Sequence, residues 1–146
     1  MDINNIFSNF ETNKVEKVDE SYIEDKLTFQ DYMNHPLYWV GMFKKLNQNY
    51  NNFNKYIIQS FQKMEEELSE DDLNKAGTFI IYNNSYYYIS KINTKDFTCQ
   101  EALFQMADPE LKGYLELSLN YFSGNEEYEK CVSLKTTLDF VNLILA

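Results

Sequence analysis

Between Leu37 and Leu68 the apolar residues Trp39, Phe43, Leu46, Tyr50, Phe53, Ile57, Phe61, Met64 and Leu68 follow one another at spacings of three or four. A helix repeats every 3.6 residues, so side chains at these spacings share one face. Pro36 suits a first helical turn, where its missing amide hydrogen is not needed, and His35 before it is biased toward extended backbone. The spacing therefore predicts one long helix over about 37–68, roughly 48 Å at 1.5 Å per residue. The polar run Asn47–Asn54 is poor in helix formers, and a division into two helices there is the alternative.

Beyond this segment the punctuation changes. Ser69 with Asp72 three residues on resembles a capping arrangement, and Gly77 offers a stop, so residues 70–76 read as a short helix. Thr78–Tyr82 and Tyr86–Ile92 are β-branched and aromatic runs around Asn83-Asn84-Ser85, which predicts a β-hairpin over about 78–92. Two strands alone are marginal, so a helix must cover one face. Thr98 with Glu101 reads as a capping box opening a helix to about Met106, and Asp108-Pro109 as an N-cap with a first-turn proline. The helix after Pro109 carries Leu111, Tyr114, Leu115 and Phe122 on one face, interrupted by Ser118, and closes at Gly124. Asn125 then caps a last helix whose face includes Tyr128, Cys131, Val132, Leu138, Val141 and Leu145. The predicted class is α+β, predominantly helical: one long helix, one hairpin and a C-terminal helical bundle.

At 146 residues the chain suits one domain, which at this length buries roughly 70% of its unfolded surface. Residues 1–28 read as a flexible or loosely docked segment and 29–146 as the globular domain. Within the first segment Ile3, Ile6, Phe7 and Phe10 fall at i, i+3, i+4, i+7 behind Asp2, forming one apolar stripe. Such a stripe either docks on the chain's own core or enters a partner's groove.

Charge excludes several functions. Asp and Glu number 23 against 13 basic residues, all lysine, for a net charge of −10. Arginine is the usual residue for bidentate phosphate and base recognition, so its absence with this charge argues against direct nucleic-acid binding and for a basic protein partner. No apolar run approaches the ~20 residues that span a bilayer, and the acidic N-terminus is unlike a signal peptide, so the expectation is a cytoplasmic protein without a membrane partner. Cys99 and Cys131 sit in no zinc or redox spacing and read as buried thiols.

No recognisable catalytic, metal or cofactor site assembles from the sequence. His35 is the one histidine, so a Cys-His arrangement would need it to meet Cys99 or Cys131 in space; before a helix-starting proline it reads instead as a solvent-facing or capping residue. The densest acidic cluster, Glu65, Glu66, Glu67, Glu70, Asp71 and Asp72, lacks the alternating ligands and central glycine of a calcium loop. It is either a solvated helix end or a surface facing a basic partner. The isolated glycines Gly41, Gly77, Gly113 and Gly124 form no phosphate loop. Tyr86, Tyr87 and Tyr88 suit core and interface contacts better than base stacking, which also needs a basic groove.

The segment Leu115–Phe122 followed by Glu126–Lys135 resembles the UVR-type helical hairpin of excision-repair and Clp-adaptor proteins, a likeness extending over residues 111–142. Cys131 takes the small position of that pattern, while Lys135-Thr136 stands where the family carries Arg-Asp. The resemblance implies a protein-docking hairpin rather than a catalytic unit.

These readings converge on a non-enzymatic interaction protein, an adaptor or inhibitor that occupies a basic surface of its partner, one that otherwise holds nucleic acid being the specific case. The partner-binding candidates are Glu65, Glu66, Glu67, Glu70, Asp71, Asp72, Ile3, Ile6, Phe7 and Phe10. A structural or assembly subunit, with self-association compatible, is the alternative, motivated by the high aromatic content. A small enzyme would need a pocket assembled from scattered residues.

Overall fold

The computed structural model describes residues 28–64 and 69–146, and among them every regular element is a helix. The chain divides into two compact units, Met1–His35 and Pro36–Ala146. Of the first, the described part is α1 (Phe29–Met33). Thr28 caps it in a reciprocal box with Asp31: the Asp31 amide donates to Thr28 Oγ1 at 3.1 Å and the Thr28 amide to Asp31 Oδ2 at 3.2 Å.

The second unit contains α2 (Pro36–Gln48), α3 (Tyr50–Met64), α4 (Glu70–Ile89), α5 (Phe97–Met106), α6 (Pro109–Gly124) and α7 (Tyr128–Leu145). The predicted long helix over 37–68 is thus two helices within the described residues, parted at Asn49. Backbone hydrogen bonding continues on either side, from Asn49 N to Lys45 O and from Phe53 N to Asn49 O, both at 3.0 Å. The interruption falls where Asn47 Nδ2 donates to Phe43 O at 2.8 Å, a side chain competing for the carbonyl its own backbone amide would use. Nor is α2 buried along one stripe. Tyr38, Val40, Met42, Phe43 and Leu46 are all buried and spread over more than half its circumference, because α4, α5 and α6 all pack on it.

The largest correction concerns residues 78–92. They form no hairpin, and the α+β class is overturned: Gly77 does not stop the helix that Ser69 starts, and α4 continues to Ile89. Its buried residues, Leu73, Gly77, Ile81, Ser85 and Ile89, recur every fourth position. Threonine, isoleucine and tyrosine each disfavour a helix by a few tenths of a kcal/mol. Burying a side chain such as Ile81 or Ile89, each 1% exposed, returns roughly 1.5–3 kcal/mol, so tertiary contact outweighs local preference. Asn83, expected in the turn, lies on the helix surface and donates to Phe79 O at 2.9 Å.

Helix α4 runs antiparallel along α3 and then α2, as three contacts in sequence show. Asn54 Nδ2 donates to Asn74 Oδ1 at 2.7 Å, the hydroxyls of Tyr50 and Thr78 meet at 2.7 Å, and Tyr38 meets Tyr88 edge to face at 5.8 Å. Gly77 faces α3 at Asn54, where an added Cβ would fall on Asn54 Oδ1.

The later helices begin and end at short-range signals. Asp108 caps α6 as expected, its Oδ1 accepting from Leu111 N at 2.7 Å with Pro109 in the first turn. Helix α5 opens one residue before Thr98, because Asp96 rather than Thr98 accepts from Cys99 N, at 3.0 Å. Asn125 closes α6 instead of opening α7, its Nδ2 donating to Tyr121 O at 2.9 Å, and the chain turns at Glu126 with φ 60°. The inward face of α7 is Leu134, Thr137, Leu138 and Val141, whereas Tyr128 and Val132, expected on it, are 63% and 68% exposed. Phe43, Ile89, Leu103, Leu111, Leu115, Phe122, Leu134 and Val141 meet in one core. Ser118, read as an interruption, lies fully buried on the same face of α6.

Asp108 also ties α6 to α2, since Lys44 Nζ donates to its Oδ2 at 2.5 Å. Burial pushes the Asp108 carboxyl up, but the Lys44 ammonium and the Leu111 and Glu110 amides outweigh it and hold the group below the ordinary aspartate range. A depressed native value means the stabilisation is complete above the unfolded value of about 3.9 and is lost as pH falls through the native one. We expect Asp108→Ala to lower stability by about 2 kcal/mol at neutral pH, combining a lost cap with an unpaired, largely covered Lys44. Urea unfolding should show that difference shrinking at acid pH; a pH-independent difference would remove the ion pair from the explanation.

Candidate interaction surfaces

Four of the predicted partner-binding residues, Ile3, Ile6, Phe7 and Phe10, lie outside the described residues, as do Glu65, Glu66 and Glu67. Glu70, Asp71 and Asp72 form the first turn of α4 and are exposed. Ser69 fixes that turn, its hydroxyl accepting from Asp72 N at 3.1 Å. Three carboxylates there complement the positive end of the helix dipole. Asp71 reaches Lys75 one turn on at 3.3 Å, but both side chains are more than 70% exposed, so the pair adds little.

The net charge is localised. Glu65–Asp72 carries six carboxylates and no lysine, and residues 1–35 carry eight carboxylates against three lysines. All remaining residues together hold nine carboxylates and ten lysines. The first ring contact between α4 and α6 is Tyr82 with Tyr121, about 18 Å along the helix axis from Glu70. The described acidic turn therefore lies away from that contact with α6, at the end of the α3–α4 pair.

At the inner end of that pair lies an aromatic cluster. Tyr82 stacks on Tyr121 at 4.4 Å and 12°, and Phe122 meets Tyr86 at 5.4 Å and Tyr121 at 5.1 Å, edge to face. Burial raises the Tyr82 hydroxyl, and mutual repulsion with Tyr50 and Tyr121 adds to it; burial and nearby Glu127 act likewise on Tyr121. Lys130 Nζ sits 4.9 Å from the Phe122 centroid and 5.4 Å from that of Tyr86, donating to Asn83 Oδ1 at 2.7 Å and pairing with Glu127 at 3.1 Å. This cluster holds α4, α6 and α7 together, and no local motif marked it. The run Tyr86-Tyr87-Tyr88 forms no flat stacking platform, because successive helical residues point about 100° apart. Tyr86 goes to Phe122, Tyr88 to Tyr38, and Tyr87 faces outward.

A second exposed feature is apolar. Phe104 on α5, 62% exposed, meets Phe140 on α7 edge to face at 5.9 Å. Tyr128, Val132 and Leu143, the last 75% exposed, lie on the outward side of α7. Solvated large side chains concentrated on one helix are a common mark of an interface.

Cys99 and Cys131 are free thiols; burial raises Cys99, while Cys131 points its Sγ at Leu119 O at 3.8 Å. A raised thiol is a poor nucleophile. Among the described residues no group of three or more His, Cys, Asp or Glu could hold a metal ion, and no helix is long and apolar enough to cross a membrane. No protein-family model, curated protein or solved structure matches the chain.

Proposed function

We propose that this chain is a non-enzymatic interaction protein whose acidic α3–α4 end engages a basic surface of a protein partner. The observation that supports this most is the local concentration of charge: six carboxylates without a lysine at Glu65–Asp72, while the residues from Pro36 on outside that run hold nine carboxylates and ten lysines. A field concentrated in this way steers a basic partner to the first turn of α4 and makes association salt-sensitive. Inhibition of a nucleic-acid-handling protein is the specific form of this reading, since such a partner presents lysine and arginine where phosphates would lie.

The test compares the full chain with a variant in which Glu65, Glu66, Glu67, Glu70, Asp71 and Asp72 become Gln or Asn. Both are used, tagged, to recover partners from native lysate at low and high salt. We expect a basic partner held by the parent at low salt and absent from the variant, with stability lowered by no more than about 1–2 kcal/mol from weakened dipole contacts. Equal recovery by the two proteins would remove the acidic end from the interaction.

The outward face of α7 favours a second reading, a subunit of a larger assembly joined through Val132, Leu143 and Phe104. The protein-docking role implied by the UVR-type resemblance falls on the same α6–α7 hairpin. Binding through that face would persist at high salt and survive the six substitutions.

A further inference from the structure

Helix α4 ends at Ile89 with Ser90 as its C-cap, and Lys91 follows immediately. Lys91 Nζ lies 4.3 Å from the ring centroid of Tyr87, 5.7 Å from that of Trp39 and 6.0 Å from that of Tyr88. Tyr87 and Tyr88 meet edge to face at 5.2 Å and 77°, giving two walls nearly at right angles. Trp39, from α2, supplies the third. The buried Tyr38 braces Tyr88, again edge to face. Ring faces gathered around one cation, through their negative quadrupoles, are the arrangement that recognises alkylated ammonium groups.

The present occupant is a weak one. Lys91 is exposed, and among the described residues no carboxylate pairs with it. A primary ammonium is strongly hydrated and gives up little of that hydration at an open site. A trimethylammonium carries the same charge without N–H donors to desolvate, so it gains more from three rings. Tyr87 is 57% exposed, which leaves the site open to solvent on that side.

We propose that Trp39, Tyr87 and Tyr88 form a cage for an alkylated ammonium group, from a choline-like small molecule or a methylated lysine side chain, and that Lys91 fills it in the free protein. The site is independent of the acidic end of α4 and does not rest on the function proposed above.

Trp39 is the one tryptophan of the chain, so its fluorescence reports on the cage directly. The full chain, Lys91→Met and Tyr87→Ala would each be titrated with choline, with Nε-trimethyllysine amide and with the uncharged tert-butyl analogue of choline. Both substituted residues are exposed, and thermal melts would confirm that the variants fold. We expect saturable responses to the two cations but not to the uncharged analogue. Binding should tighten about fivefold or more in Lys91→Met and weaken by a similar factor in Tyr87→Ala. The tighter of the two cations identifies the source. No saturable response in Lys91→Met, an equal response to the uncharged analogue, or undiminished binding by Tyr87→Ala would each overturn the cage.

Discussion

Gly77→Leu should destabilise the protein by about 3 kcal/mol, because α3 and α4 cannot keep their separation around a side chain at that point. An added Cβ alone falls on Asn54 Oδ1. That side chain cannot step aside freely, since its Nδ2 holds Asn74 Oδ1 at 2.7 Å. Gly77→Ala is the more instructive change, because two effects oppose each other. Alanine within a helix is favoured over glycine by roughly 1 kcal/mol, while displacing the Asn54 amide forfeits a hydrogen bond worth about 1 kcal/mol and adds strain. In the parent we expect a net loss. In an Asn54→Ala background the obstructing Oδ1 and Cγ are gone, and the next neighbour, Asn54 Cα at 3.8 Å, is an ordinary contact. There Gly77→Ala should stabilise by close to its full helix preference. Urea unfolding of the four proteins measures the sign change. If the glycine ended a helix or formed a turn, alanine would be unfavourable in both backgrounds.

That glycine shows why part of the fold was legible in the sequence and part was not. Ser69 and Asp108 are caps whose partners, the amides of Asp72 and Leu111, lie three residues away. Such signals depend on adjacent residues and survive any tertiary arrangement. The continuation of α4 through Gly77 depends on α3, and its buried ladder alternates small and large residues, Gly77 and Ser85 between Leu73, Ile81 and Ile89. A search for apolar periodicity passes over that ladder, while the intervening Phe79, Ile80 and tyrosines imitate strands. The reading of α2 as a single stripe failed for a related reason: a helix enclosed by three others is buried on several sides, and no stripe marks it.

The candidate sites divide along the same line. The acidic end was visible because its carboxylates are neighbours in sequence and Ser69 fixes where the helix begins. The cluster around Lys130 and the cage around Lys91 were not, since each gathers residues from separate helices. Tyrosine and lysine at such positions look like ordinary surface residues until α4 is laid against α2 and α6.

Phe122→Ala should be more damaging than either Gly77→Leu or Asp108→Ala, at about 3–5 kcal/mol. Phe122 is fully buried and touches Tyr82, Tyr86 and Tyr121 with ring centroids between 5.1 and 6.4 Å. Removing it opens a cavity where α4, α6 and α7 meet and takes one ring face from Lys130, whose side chain is only 28% exposed. Domains of this kind are stable by about 5–15 kcal/mol, so the loss is a large share of the total. With a urea slope of about 2 kcal/mol per molar, the midpoint should fall by roughly 2 M. Phe122→Leu separates the causes: it retains most of the volume but no ring, so its smaller penalty, about 1–2 kcal/mol, reads the edge-to-face and cation contacts. Lys130→Met then tests the cation alone. If Lys130→Met and Phe122→Leu act through the same contact, the double variant should be less destabilised than the two single effects added together. Strict additivity would mean that Lys130 is held by Asn83 and Glu127 and that the rings only border it.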